Sequence, residues 1–453
     1  MAAKVQQRTA ILNVVGLTRR LLSAAAHCPA LSGFAAANTV RPIRPLLPAV
    51  TTTMQATYLT GLGPAEHGIV GNGWYDRILA EHHFWKQSNH LVSGEKLWEA
   101  ARRERGTPFT CAKLFWWYHM YPSADLALPP RQTYCADGRK VFDIYAEPPE
   151  LRPAIKAALG DFPFPSFWGP RAGIASSRWI ARAARWVEEH HSPDLSLVYL
   201  PHLDYDLQRR GSAGAAEALR EIDPVVGDLL EFYHARGVGV VLLSEYGITD
   251  VDRPIHLNRV FRERGWFRVR DELGLEVPDL GASQAFAIAD HQVAHVYVRN
   301  PGLVEVVRRE VESVAGVGEV TAIDHPRAGD LLAVSDARSW FSYYYWLDDA
   351  VAPDYARCVD IHRKIGYDPA ELFVDPATAF ASVRVAAKLA KKALGFRMLM
   401  DLIPLDATLV RGSHGRVPDD QDDWPVLVGK VAPGGALEAR EVFGELLGQI
   451  LGS

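Results

Sequence analysis

Short runs that are apolar almost throughout alternate along the chain with stretches of helical periodicity. Ala10–Val15 (AILNVV), Leu195–Leu200 (LSLVYL) and Val238–Leu243 (VGVVLL) offer no continuous polar face, a pattern that predicts strands buried on both sides. Ser177–His190 (SRWIARAARWVEEH) and Ala215–Ala235 place apolar residues three and four apart and predict amphipathic helices between them. Pro224 predicts a kink or break in the second helix. Strand–helix–strand alternation of this kind builds an α/β fold, with a mostly parallel central sheet and helices on both faces.

A second unit follows. His295–Arg299 is strand-like, Val304–Ser313 helical and Val317–Ile323 strand-like again, a βαβ-like piece that predicts a small inserted α+β subdomain. From Ala328 to Asp375 the pattern dissolves into a loop-rich, aromatic stretch carrying Trp340, Phe341, Tyr343, Tyr344, Tyr345 and Trp346. That run predicts a cap or wall over a cleft, with a packed aromatic core patch as the alternative. The expected organisation is a core of residues 1–270 and 376–453, interrupted by a subdomain and cap region over 271–375. Ala377–Leu399 is a basic amphipathic stretch, expected to be a helix with a solvated face.

Composition narrows the field. With 453 residues and 48% hydrophobic content, the chain has ample material for a large core without disulfide or metal staples. A net charge of −5 carries no basic footprint for a nucleic-acid polymer or an anionic membrane, while a nucleotide-sized ligand needs only a local positive site. Cys28, Cys111, Cys135 and Cys358 lack paired spacing and are expected to be reduced thiols. The apolar run after MAAKVQQRTA is too short for a leader, and no window is long enough for a membrane span, so a cytoplasmic protein is expected.

Ligands of open parallel sheets bind beyond the carboxyl ends of the strands, so the residues just after the strand runs are the candidates for chemistry. Gly16 follows the first run. In Leu47–Gly61 (LPAVTTTMQATYLTG), a turn carrying Thr51 opens a helical stretch. A hydroxyl there sits at a helix N-terminus, whose free amides and positive dipole favour an anionic phosphate; the alternative is that one of Thr51–Thr53 is an N-cap. After Leu195–Leu200 come His202, Asp204 and Asp206, nitrogen and oxygen donors suited to a divalent metal, or else turn formers and caps. After Val238–Leu243 comes Ser244–Gly247 (SEYG), where Glu245 is a candidate ligand, base or cap. Histidines recur in Asp290–His295 (DHQVAH, with His291 and His295) and in Gly412–Gly415 (GSHG, with His414). Asp360–Asp368 (DIHRKIGYD) groups His362, Arg363 and Lys364, candidate substrate contacts.

The order of these segments resembles the nucleotide pyrophosphatase/phosphodiesterases of the alkaline phosphatase superfamily. Leu47–Trp74 is similar to that family's nucleophile block: a threonine in a proline-containing loop (Thr51), then Thr60–Gly61, Pro64, His67–Gly68 and Ile69–Asn72. Asp204–Gly211, Ser244–Ile248 and His414–Gly415 resemble its later metal-site segments, so the likeness runs from about residue 10 to 430. The resemblance implies an alkaline-phosphatase-like three-layer fold, Thr51 as nucleophile and Asn72 as donor to a phosphate oxygen, a pairing that suits an attacking hydroxyl. It implies Asp204, Glu245 and His414 as metal ligands, with His414 as the acid/base if no metal binds.

The chain departs from the family where the two metals would sit. Val15 stands for an aspartate, Gln208 for a histidine, and Glu245–Tyr246 for an Asp-His pair. Two zinc ions need about four ligands each, mostly imidazole and carboxylate, and valine cannot ligate. Three readings follow. One is a single-metal site (zinc or magnesium), with His202, Asp206, His291 or His362 replacing lost ligands. Another is a metal-independent enzyme working in the same cleft. The third is a pseudoenzyme that binds without turnover. The leading expectation is a phosphodiesterase or pyrophosphatase acting on a small phosphodiester or diphosphate, nucleotide-like substrates among them. A transferase using a diphosphate-activated donor is the rival.

Overall fold

The computed structural model describes residues 8–452 apart from 107, 137, 138, 379 and 397. The segment 1–7, part of the N-terminal stretch read above for a leader, lies outside the described residues.

The three apolar runs form adjacent strands. Thr9–Val14 pairs in parallel with Gly239–Leu243 on one side and Leu195–Leu200 on the other, and all but the first two residues of Gly239–Leu243 are fully buried. They occupy the middle of an eight-stranded sheet in the order Leu437–Glu438, Thr39–Arg44, Val426–Gly429, Gly239–Leu243, Thr9–Val14, Leu195–Leu200, Cys111–Leu114, Leu126–Leu128. Only Val426–Gly429 runs antiparallel to its neighbours. The helices Ile174–His191 and Ala215–Ala235 are amphipathic as expected, but the second runs unbroken through Pro224. The expected interruption there is corrected: its neighbours Asp223, Val225 and Val226 are buried, and tertiary packing outweighs the lost hydrogen bond.

The second unit is a four-stranded antiparallel sheet in the order Ala285–Asp290, Val293–Val298, Leu331–Ser335, Val317–Thr321. The helix Val304–Ser313 connects Val293–Val298 to Val317–Thr321 as expected, yet Leu331–Ser335 lies between those two strands, so the βαβ unit is split. Its core takes in the aromatic run. Trp340, Phe341, Tyr343, Tyr344, Tyr345 and Trp346 are all essentially inaccessible and pack with Ala285–Val298 and Phe261. They are core, not the wall of a cleft as expected, because the run begins within strand Ser339–Phe341, which pairs with Arg253–Ile255 and is drawn inward. Ala381–Ala393 forms the expected basic helix. Among the described residues no helix is long and apolar enough to cross a membrane, and the four cysteines are free thiols.

Candidate active site

The carboxyl ends of the three central strands open onto a cleft. Thr51, Asp204, Tyr246, His291 and His414 line its floor, and Trp85, Trp117, Trp168 and Tyr367 line its walls.

Thr51 is the first residue of a ten-residue helix, Thr51–Thr60, all of it buried, which ends at Gly61 in the left-handed conformation (φ 71°). The cap is Val50, with no side-chain bond, so the N-cap alternative for Thr51–Thr53 does not apply. Each threonine has a separate fate. The Thr52 hydroxyl donates to the Gly71 carbonyl (2.8 Å), and the Thr53 hydroxyl is buried without a hydrogen-bond partner. The Thr51 hydroxyl faces the cleft, 3.0 Å from the Tyr246 hydroxyl, which lies 3.2 Å from Asp204 Oδ1. Asp204 Oδ2 accepts from Gln208 Nε2 (2.7 Å), whose Oε1 accepts from the Tyr367 hydroxyl (3.1 Å). A continuous hydrogen-bonded chain therefore runs Thr51, Tyr246, Asp204, Gln208, Tyr367.

Glu245, beside Tyr246, is fully buried. Its Oε1 accepts from both Asn13 Nδ2 and Gln55 Nε2, and Oε2 has no hydrogen-bond partner. Burial pushes its carboxyl up to about 8 and that of Asp204 up to about 7; the two carboxyls add to this by mutual repulsion at Glu245, while the bonds from Tyr246 and Gln208 restrain Asp204. At neutral pH the floor of the cleft therefore carries much less negative charge than its acids suggest, which suits an anionic ligand.

Asn72 takes a different place from the one expected. Its Oδ1 accepts from the Thr52 amide (3.1 Å), its Nδ2 donates to Asp290 Oδ1 (3.0 Å), its own amide donates to Asp290 Oδ2 (2.8 Å), and its carbonyl accepts from the Trp85 amide (3.0 Å). It does not line the cleft. It ties the helix bearing Thr51 to Asp290 and Trp85, with one Nδ2 hydrogen committed to Asp290. Trp85 (φ 56°) and His291 (φ 62°) both line the cleft from the left-handed region, a conformation costing on the order of 1–2 kcal/mol for residues other than glycine.

His362, Arg363 and Lys364 do not gather at Thr51. Lys364 is buried in an ion pair with Asp368 (2.6 Å) and Glu371 (2.8 Å), Arg363 is half exposed and paired with Asp360 (2.7 Å), and His362 bonds the Phe84 carbonyl and Gln132 at an outer chamber. Consecutive residues in a turn point to three different neighbourhoods. His295 bonds the Val70 carbonyl (2.8 Å) and the Gly329 amide (3.2 Å), and His67 links Thr57 to Ile69; both hold the framework.

The donor set fits a two-metal centre poorly. Val15 is inaccessible in the main core. His414 stacks face to face on Tyr246 (centroids 3.5 Å, planes 3° apart), His291 lies on His414 (3.8 Å, 34°), and Tyr367 on His291 (4.0 Å, 17°). Imidazole lone pairs lie in the ring plane, so stacked rings turn their faces, not their donors, to each other. His414 also commits Nδ1 to the Ala49 carbonyl (2.9 Å), burial keeps the ring neutral, and its Nε2 lies 3.8 Å from Asp204. Among the described residues the expected ligand trio Asp204, Glu245 and His414 does not form a converging donor group, and His414, expected as an acid/base, is held as a neutral imidazole. Among the described residues the group that does converge is His202, Asp206 and Glu221, which does not line the cleft and where Arg209 and Arg210 already pair with Asp206.

A sequence model of the type I phosphodiesterase/nucleotide pyrophosphatase family matches residues 9–368, from the first central strand past Tyr367. The chain belongs to that family. It is therefore placed among the phosphoester hydrolases of the alkaline phosphatase superfamily. The crystal structure of phosphonoacetate hydrolase from Sinorhizobium meliloti 1021 in complex with phosphonoformate is similar, with a TM-score of 0.61 and 14% identity, over 98% of this chain and 96% of that one. At that identity the likeness establishes the fold alone. No curated protein matches the chain in sequence. Sequence reasoning missed Asn13, Gln55, Tyr199, Trp85, Trp117, Trp168 and Tyr367, each of which reaches the site from a different segment. The one available signal was Tyr246, visible as a departure from the family pattern.

Proposed function

We propose that the protein hydrolyses a phosphodiester or diphosphate through a covalent intermediate on Thr51, with Tyr246 and Asp204 receiving the hydroxyl proton in place of metal activation. One observation carries this reading: the Thr51 hydroxyl bonds the Tyr246 hydroxyl, which bonds Asp204. A phenol has one proton and two acceptor sites. With Asp204 ionised, Tyr246 donates to Oδ1 and accepts from Thr51. As Thr51 Oγ1 forms its bond to phosphorus and the bond to the leaving oxygen breaks, the threonine proton passes to Tyr246 and the phenolic proton to Asp204. Water then attacks phosphorus and the bond to Thr51 Oγ1 breaks; Asp204 returns its proton through Tyr246 to Oγ1, and the proton lost by water balances the one that the first leaving alkoxide took from solvent. The first-turn amides of Thr51–Thr60, which have no intrahelical acceptor, supply a field for the non-bridging oxygens; the Thr52 amide is excluded, being held by Asn72. Glu245, held largely protonated near neutrality, and Asp204, protonated only in part there, limit the repulsion that an approaching anion meets.

Bis(4-nitrophenyl) phosphate tests this with the purified protein. Wild type is expected to release nitrophenolate and Thr51→Ala to lose turnover by at least about a hundredfold, while Thr51→Ser retains part of it. Full activity in Thr51→Ala rules out the threonine nucleophile. Product analysis with added acceptor alcohol separates hydrolysis from transfer, and stabilisation by ligand without turnover would mark a binding protein.

A further inference from the structure

A second chamber adjoins the cleft. Trp85, Trp117, Phe167 and Trp168 line both spaces, so the two meet at an aromatic throat. Trp85 packs against Trp117 (4.8 Å) and edge-on to Trp168 (4.9 Å), and Trp168 is oriented by its indole bond to Glu371 (2.9 Å). Beyond the throat the lining changes character: it holds Lys86 and Arg131 and no acidic side chain. Arg131 donates to Gln87 (2.9 Å), and among the described residues neither cation meets a carboxylate. In a chain of net charge −5, whose arginines otherwise pair widely with acids, two cations left open beside an aromatic throat are a selective feature.

We propose that this outer chamber binds the far end of the substrate, and that this end is a flat apolar group terminating in a second anion, carboxylate or phosphate. The claim rests on the reading that phosphorus is attacked at Thr51. Tryptophan faces and edges accept a planar conjugated group without demanding one hydrogen-bond pattern, whereas a lysine and an arginine without acidic partners demand negative charge. The bound molecule would then span from the threonine hydroxyl through the throat to the two cations, with its reacting and recognised anions at opposite ends. None of the throat or chamber residues belongs to the sequence block shared with the nucleophile helix, so selectivity is carried by segments separate from the chemistry.

Three esters test the proposal: 4-nitrophenyl phenyl phosphate and its analogues with a para carboxylate or a para phosphonate on the phenyl ring. The wild type is expected to favour either charged ester by about tenfold in kcat/KM at low salt, less at high salt, and the two charged esters separate carboxylate from phosphate recognition. In the double variant Lys86→Ala, Arg131→Ala the ratio of charged to neutral ester is expected to fall toward one, and in Lys86→Glu, Arg131→Glu to invert. Both residues are exposed, and circular dichroism verifies that the variants fold. A neutral ester turned over as well as the charged pair by wild type, or a preference that survives both double variants, overturns the chamber assignment alone. Absence of turnover of all three esters overturns the threonine mechanism instead.

Discussion

Replacing Tyr246 by phenylalanine removes one oxygen atom and tests the proton path directly. The ring remains, and with it the 3.5 Å stack on His414, so the floor of the cleft keeps its shape. Two hydrogen bonds are lost, one to Thr51 (3.0 Å) and one to Asp204 (3.2 Å). Both partners line the cleft, where water can replace the phenol, so the stability cost is about 1–2 kcal/mol. The catalytic cost is larger: loss of a positioned proton acceptor lowers kcat/KM by roughly 10²–10⁴-fold. A second signature distinguishes a relay from simple damage. The Tyr246 bond is one of the restraints on the Asp204 carboxyl, which burial already raises to about 7. Without it the carboxyl rises further, and the acidic limb of the pH–rate profile moves to higher pH. The assay is kcat/KM for bis(4-nitrophenyl) phosphate between about pH 5 and 9, with thermal melts of the same samples. A Tyr246→Phe enzyme of wild-type rate and unmoved acidic limb, beside an inactive Thr51→Ala, would show that the threonine proton leaves by another route.

The same geometry yields further expectations. Because Asp204 must be ionised to accept a proton and Glu245 must stay protonated to spare the anion, kcat/KM is expected to rise through about pH 7 and fall above about pH 8, giving a narrow bell in a pH–rate series. Glu245 has a folded value raised from 4.5 to about 8, so its contribution favours the fold below pH 4.5 and is lost as pH rises through 8; Glu245→Gln should gain stability on the order of 5 kcal/mol over wild type at pH 9 and little at pH 4, read by denaturant titration. Lys364→Met strands the buried carboxylates of Asp368 and Glu371 and should cost about 3–5 kcal/mol in the same titration. Dialysis against chelator should leave turnover intact, and added zinc should not raise it, since the stacked imidazoles do not direct donors to a common point; a metal-dependent loss and recovery would contradict that geometry.

How much of this was legible in the sequence depends on range. The central strands were visible because burial on both faces leaves a continuous apolar run, and Ala215–Ala235 and Val304–Ser313 fall where 3.6-residue periodicity puts them. Thr51 was legible because a helix start, a proline-containing loop and a long ordered motif coincide there. The aromatic run Trp340–Trp346 misled because consecutive aromatic residues carry no periodicity to tell a core from a wall. The actual wall is built from single residues, Trp85, Trp117, Trp168 and Tyr367, supplied by separate loops, and no local pattern marks any of them. The same limit applies to His362, Arg363 and Lys364, whose adjacency suggested one site while the turn sends them to three.

The departures from the family's metal ligands gain meaning only as a set. Taken singly, Val15, Gln208 and Tyr246 are losses. In the fold, Gln208 donates to Asp204, Tyr246 bridges Asp204 to Thr51, Glu245 collects Asn13 and Gln55, and Val15 closes the core. A site decaying without function would leave its surviving carboxylate exposed to unmatched neighbours, because each replacement would arise independently. Here the replacements at 208 and 246 bond the same carboxylate, one at each oxygen, and the second of them also reaches the threonine. Two substitutions that satisfy one surviving residue and join it to the nucleophile position are the arrangement expected of a site held for turnover by proton transfer, and this favours an enzyme over a binding relic.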